Sequence, residues 1–159
     1  MVDTIYALAT PQGRAGVAVV RISGPDAFMS LHSLCNDIRI KPRKTILCDL
    51  YTQEGLHLDR ALVLPFKGPH SFTGEDVVEL HLHGSIAVIQ KALEVLSRIA
   101  NFRQALPGEF TRRAFLNEKL DLAEIEGLAD LIEAETEAQR VQALKVLSGK
   151  LGERAQEWR

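Results

Sequence analysis

Glu79, His81 and His83 alternate with Val78, Leu80 and Leu82 in the run Val77-Val78-Glu79-Leu80-His81-Leu82-His83-Gly84. In a strand the two-residue period sends the three ionisable side chains to one face and the apolar ones to the other. Imidazole and carboxylate suit zinc, so this Glu-x-His-x-His run is a candidate metal set, with His70 available as a fourth ligand. The plainer reading is the polar outer face of a half-covered sheet. Arg21 interrupts the apolar run Val17 to Ile22. A guanidinium there is either paired, at an edge facing water, or part of a site, because an uncompensated buried charge is costly. Lys119 is the lone base between residues 118 and 137, among eight acids. By spacing alone it reads as an exposed ion pair worth at most ~1 kcal/mol. The segment Gly68-Pro-His-Ser-Phe-Thr-Gly-Glu-Asp76 is dense in turn formers and hydrogen-bonding side chains and runs directly into the Glu79 strand. Loops so placed often carry function, though an ordinary long turn has the same composition.

These groups need strands and helices to hold them. Short β-rich runs occur at Thr4 to Ala9, Val17 to Ile22, Thr45 to Tyr51, Ala61 to Phe66 and Val77 to His83. A helix is predicted after Ser23-Gly24-Pro25, with Pro25 suited to a first helical turn, and a second from Ile86 to Ile99 with Ile89, Leu93 and Leu96 on one face. Segment 107–126 reads as a short helix, a break near Asn117, and the start of a longer helix. From Leu120 onward the period is helical, and Leu128, Leu131, Ile132, Ala138, Val141, Leu144, Leu147, Leu151 and Trp158 form one apolar stripe. Such a helix cannot bury its face on itself, and Gly127, Gly149 and Gly152 each weaken it by roughly 1 kcal/mol relative to Ala. The expectation is an α+β domain, a mixed sheet with flanking helices, over residues 1–117. The first long helix of an all-α domain would follow over 118–159, as the front of a longer polypeptide or with a second copy as its partner.

With 159 residues, 46% hydrophobic and 25% charged, the chain falls in the range of folded domains, not disordered ones. Its net charge of −2 supplies no global field for nucleic acid, so any RNA contact must be local. No apolar run approaches the ~20 residues that span a bilayer, and the start has no basic leader, so a cytoplasmic protein is expected. Cys35 and Cys48 form no CxxC pair and read as buried small hydrophobes, not a disulfide. The only Gly-Lys pair, Gly149-Lys150, is followed by Leu151, so no phosphate-binding GxxxxGK[ST] loop is present.

The blocks Asp3-Thr-Ile-Tyr-Ala-Leu-Ala-Thr-Pro-Gln-Gly-Arg14, Arg21-Ile-Ser-Gly-Pro25, Pro69-His-Ser-Phe-Thr-Gly-Glu-Asp-Val-Val-Glu-Leu80 and Gly108-Glu-Phe-Thr-Arg-Arg-Ala-Phe-Leu-Asn-Glu-Lys-Leu-Asp-Leu122 occur in this order. Together they resemble the N-terminal part of the MnmE/TrmE family of tRNA-modification GTPases. The resemblance runs from about residue 3 to 140 and is loose from Leu31 to Arg60. Ala15 and Ser85 stand where the family commonly has Gly, and His83, but not His81, falls where it commonly has His.

The resemblance implies a fold similar to the folate domains of one-carbon enzymes, binding of a tetrahydrofolate derivative (5-formyl or 5,10-methylene), and homodimerisation. It implies a following helical domain with an inserted GTPase domain, where GTP, Mg and K would act. With a flavin-dependent partner, MnmG, the family forms a carboxymethylaminomethyl-type group on carbon 5 of the wobble uridine of certain tRNAs, the folate supplying the one-carbon unit. Family folate contacts fall on Arg21, Glu79 and Lys119. A carboxylate can take two parallel hydrogen bonds from an aminopyrimidine edge, which assigns Glu79 to the pterin, and the anionic tail and carbonyls of folate want cations, which makes Arg21 and Lys119 exchangeable candidates there. Two other readings stand beside this one: a metal-dependent hydrolase using Glu79, His81 and His83, and a pure dimerisation module.

Overall fold

The computed structural model describes residues 3–36 and 38–148. Six strands form one mixed sheet: β1 (Thr4–Leu8), β2 (Ala15–Ser23), β3 (Ile46–Tyr51), β4 (His57–Phe66), β5 (Val77–Gly84) and β6 (Phe102–Gln104). Their order across the sheet is β3-β4-β5-β2-β1-β6. All neighbours are antiparallel except β1 and β6, which run parallel. The helices are α1 (Met29–Leu34), α2 (Ile86–Ser97), α3 (Glu109–Leu116), α4 (Leu122–Glu133) and α5 (Glu137–Leu147). This is the expected α+β arrangement. Among the described residues no helix is long and apolar enough to cross a membrane.

Alternation decides which face of the sheet is core. Val20 and Ile22 of β2, Val78, Leu80 and Leu82 of β5, and Ala61 and Val63 of β4 are buried together with Leu31 and Leu34 of α1 and Ala92, Val95 and Leu96 of α2. Each Val, Leu or Ile so buried contributes about 1.5–3 kcal/mol, so this layer dominates the energetics of the sheet. The three-residue strand β6 has no sequence signal of its own. It is held by parallel pairing of Thr4, Ile5 and Tyr6 with Phe102, Arg103 and Gln104.

One local expectation changes at the end of β2. The segment after Gly24 is a run of turns before helix begins at Met29, so Pro25 does not open α1. Gly24 itself has φ +141°, and a Cβ there would lie 2.7 Å from the Thr4 Cα, so only glycine lets β2 leave the sheet so close to β1.

The chain divides into two compact units, residues 1–110 and 111–159. In the second, the single helical stripe is broken into α4 and α5. Asp121 caps α4 by accepting from Glu124 N while the Glu124 carboxylate accepts from Asp121 N, and Thr136 and Gln139 repeat this reciprocal cap at the start of α5. Ala134 between them is extended, which ends α4. Thr136-Glu-Ala-Gln139 is a capping-box signature, and it overrides the continuous apolar period. The two helices pack on each other, so the stripe buries part of itself, contrary to the expectation for one long helix. Leu151, Trp158, Gly149 and Gly152 of the expected stripe lie outside the described residues.

At Gly127, α4 lies directly against the end of α5. A Cβ at this position would stand 2.6 Å from the Leu147 backbone nitrogen. The residue read from sequence as a weak point in a helix is a seat for its neighbour. Gly127→Ala gains about 1 kcal/mol of helix propensity but forces two backbones apart, an overpacking cost of about 1–3 kcal/mol. The substitution is expected to lower the thermal midpoint of the helical unit, and an unchanged or raised midpoint by circular dichroism would contradict the close packing.

Candidate ligand site on the sheet

The face opposite the core carries the ionisable side chains in cross-strand rows. Phe66, Val77, Ser23 and Ile5 form one row, Leu64, Glu79, Arg21 and Ala7 the next, and Leu62, His81 and Val19 the third. Cover falls off along this series: Ile5, Ser23 and Val77 are buried, Arg21 and Glu79 are partly so, and Leu62 is exposed. The face is therefore not a uniformly wet surface. A charged pair stands at the boundary between a covered and an open region.

Arg21 and Glu79 are direct partners across β2 and β5. Arg21 Nε donates to Glu79 Oε1 at 2.9 Å and Nη2 lies 2.8 Å from the same oxygen. Both donors thus converge on Oε1, and Glu79 Oε2 lies 3.5 Å from His81 Nε2. That imidazole nitrogen is buried and makes no hydrogen bond. The side chains of Arg21 and Glu79 are 27% and 18% exposed, intermediate between a surface pair and a buried one. The guanidinium also faces two aromatic rings, with its carbon 5.1 Å from the centre of Phe72 and 5.8 Å from that of Phe110.

Each ring is held by its own polar framework. The loop bearing Phe72 is stitched to the end of β2. The Ser23 hydroxyl donates to Glu75 Oε2 at 2.7 Å, leaving it to accept from Thr73 Oγ1, also at 2.7 Å. Ser71 Oγ donates to the Glu75 carbonyl, and Gly68 N and Lys67 Nζ donate to the two carboxylate oxygens of Asp76. The density of hydrogen-bonding side chains read from sequence thus builds a closed loop against the sheet. Phe110 follows Glu109, whose carboxylate accepts from Arg103 Nη1 and Nη2 at 2.8 and 2.6 Å and from Leu106 N at 2.8 Å. Arg103 also bonds Asp3. These two carboxylates raise the pKa of the Arg103 guanidinium, Glu109 contributing more than Asp3.

The three residues of the metal alternative do not converge. His81 sits beside Glu79, whereas His83 Nδ1 pairs with Asp59 Oδ1 at 2.7 Å and His83 N donates to Asp59 Oδ2 at 2.8 Å. Among the described residues no group of three or more His, Cys, Asp or Glu side chains is placed to hold a metal. Alternation puts His83 on the same side as Glu79, but the buried Asp59 carboxylate turns it to a different partner.

Lys119 lies in the second unit, exposed, directly after α3. Glu118 N donates to the Phe115 carbonyl and Lys119 N to the Ala114 carbonyl, with Glu118 at φ +54°. This is a Schellman ending with a glutamate in the left-handed position usually taken by Gly, a strained conformation that fixes where the Lys119 backbone leaves the helix. Arg21 and Glu79 are thus brought together in the first unit, while Lys119 has a defined backbone in the second. Phe72 and Phe110 had no signal as site residues, because a lone aromatic in a loop or helix start gives no indication of the cation it will cover.

An α+β sheet domain that holds one charged pair under aromatic cover, joined to a helical unit, is the class of protein that the fold and site define. The chain belongs to the family described as GTP-binding protein TrmE N-terminus, whose family model matches residues 4–119. It is 57% identical over 157 residues to the tRNA modification GTPase MnmE of Roseobacter denitrificans, covering 99% of this chain and 36% of that protein. Identity is 55% over 158 residues to the protein of the same name from Parvibaculum lavamentivorans, with 99% and 36% covered. For the one from Maricaulis maris it is 55% over 159 residues, with 100% and 36% covered. The chain spans about a third of the length of these relatives.

Removing either partner of the Arg21 and Glu79 pair leaves the other charge half-buried. Arg21→Met and Glu79→Gln are each expected to cost about 1–3 kcal/mol, between the values for surface and buried pairs, and the double variant less than their sum. Urea titration of the four proteins measures this. A coupling energy within about 0.3 kcal/mol of zero would show that the contact contributes nothing to the fold.

Proposed function

We propose that this chain is the folate-binding, dimer-forming front part of a tRNA-modification GTPase, with Arg21, Glu79 and Lys119 as the ligand contacts. The observation that carries the reading is the Arg21 and Glu79 pair, with Phe72 and Phe110 over the guanidinium, inside the stretch matched by the family model. A pair required only for stability has little reason to stand there, since an apolar pair of similar volume would serve a sheet as well or better.

The donor set fits a pterin with an anionic tail. Arg21 spends two N–H groups on one oxygen of Glu79, which fixes the carboxylate in rotation. The other oxygen, Oε2, remains available to accept one N–H of a planar ligand edge, one half of the fork that a carboxylate with both oxygens free would form. The rings of Phe72 and Phe110 exclude water from one side of the pair and strengthen its field. The remaining Arg21 donors and the Lys119 ammonium are suited to carbonyl and carboxylate groups of the ligand. A bound tetrahydrofolate derivative would supply a one-carbon unit. The protein's part is to bind it, orient it and keep its polar edge dry.

In this reading the whole protein acts in the cytoplasm with a flavin-dependent MnmG-type partner and carries GTP chemistry in a separate domain. It forms carboxymethylaminomethyl-type groups at carbon 5 of the wobble uridine. The chain's own contribution is the folate site and the homodimer.

Calorimetric titration of the chain with 5-formyltetrahydrofolate tests the proposal. Micromolar-class binding, on the order of −8 kcal/mol, is expected for the native chain and its loss for Glu79→Ala, with circular dichroism showing that the variant remains folded. Lys119→Ala is expected to weaken binding by about 1–2 kcal/mol, the scale of one charge-assisted hydrogen bond, without changing the sheet. No heat of binding with a folded dimer would leave a dimerisation module instead. Unchanged affinity in Glu79→Ala would remove that carboxylate from the site.

A further inference from the structure

The two cysteines of the chain, read from sequence as separate small hydrophobes, meet on the core side of the sheet. Cys35 follows the last turn of α1 in an extended conformation, Cys48 lies on β3, and their sulfur atoms are 3.3 Å apart as free thiols. Cys35 is 6% exposed and Cys48 is half-buried, so Cys48 is the less enclosed of the two. Thiols packed only as hydrophobes have no need to touch sulfur to sulfur.

We infer that Cys35 and Cys48 form a dithiol modification site, which a low-molecular-weight disulfide such as oxidised glutathione converts to an intramolecular disulfide. The less buried cysteine reacts first. Cys48, as thiolate, attacks one sulfur of the small disulfide. That S–S bond breaks, and the departing thiolate carries away the electron pair and takes up a proton. Cys35 then attacks the Cys48 sulfur of the mixed disulfide, expelling the second small thiolate, which takes up the proton that Cys35 gives up. In sum, two protein thiols are oxidised to one disulfide and one small disulfide is reduced to two thiols.

The contact prepares this order of events. Hydrogen bonding to Cys48 holds the Cys35 thiol well above its ordinary range, with burial adding to the effect, whereas the same hydrogen bond lowers Cys48. Burial gives the same order: Cys48, the less buried residue, meets the small disulfide, and Cys35, already in sulfur contact with it, resolves the mixed disulfide.

The fold leaves room for the remaining approach to a bond of about 2.05 Å. β3 is an outer strand of the sheet, bonded to β4 on one side only. Cys35 comes after a six-residue helix and is not inside it. The bond would close a covalent ring from 35 to 48. Within it, Ile38 and Ile40 pack against the core, while Arg39, Lys41, Arg43 and Lys44 are exposed. Oxidation would thus tether the stretch that displays four cations, a consequence independent of the folate reading.

Intact mass and peptide mapping after incubation of the 159-residue chain with oxidised glutathione, followed by maleimide quenching, test the inference. The expected product is lighter by about 2 Da, takes up no maleimide, contains a Cys35 to Cys48 linked peptide, and returns to the starting mass with dithiothreitol. Its thermal midpoint should exceed that of the reduced chain. Cys35→Ala should stop at the mixed disulfide on Cys48, and Cys48→Ala should react at least about tenfold more slowly than Cys35→Ala. Native chain that accumulates glutathione adducts, or that retains two maleimide-reactive thiols while Cys35→Ala is modified, would overturn the proposal. So would the absence of reaction in native chain and Cys35→Ala alike.

Discussion

The register of β2 against β5 is the constraint on which the first unit depends. It sets Arg21 opposite Glu79 and, one residue away on each strand, Ile22 opposite Val78 and Val20 opposite Leu80. Because side chains alternate, a slip of one residue would put the charged pair into the core and the apolar rows into water. The magnitudes say which side of the sheet enforces this. Several fully buried aliphatic side chains at about 1.5–3 kcal/mol each outweigh an ion pair worth about 1–3 kcal/mol. The core therefore places the pair, and the pair occupies a position that was decided on the other face.

Once the register is set, the polar frameworks around the pair follow from short-range chemistry. Ser23, Thr73, Glu75 and Asp76 knit the loop after β4 to the end of β2, and this brings Phe72 over Arg21. Arg103, Asp3 and Glu109 do the same for Phe110. Charged and hydroxyl side chains are thus spent on fixing two rings, and the rings in turn lower the dielectric around the charge they face.

The second unit obeys the same logic with different parts. Reciprocal caps at Asp121 and Thr136 set where α4 and α5 begin, and Gly127 lets them approach until backbone meets backbone. Ile132 and Leu122 remain exposed on α4. At the entrance to this unit, the left-handed Glu118 sets the direction of the chain at Lys119. Strain at a residue next to a candidate ligand contact is the kind of local cost that persists when position matters more than stability.

Much of this was legible in the residues themselves. Short β-rich runs bounded by turn residues located five of the six strands, and alternation within Val77 to His83 gave the core face of β5 and the co-facial set Glu79, His81 and His83, because a strand's period depends on nothing outside it. The helical period of Ile86 to Ile99 likewise anticipated α2, with Ile89 and Leu96 inward. Sequence blocks singled out Arg21, Glu79 and Lys119, and the Asn117 break was visible as a loss of period. The partners were not visible. That Arg21 faces Glu79, that His83 turns to Asp59, and that Cys35 touches Cys48 are facts about residues 58, 24 and 13 positions apart, brought together by strand order and helix packing. β6 has no local signal because its stability comes from pairing with β1, and Gly127 looked like a defect because the residue it seats, Leu147, lies at the far end of the next helix. Local period and turn chemistry are properties of the chain. Contact across the sheet is decided only when the core forms and chooses a register.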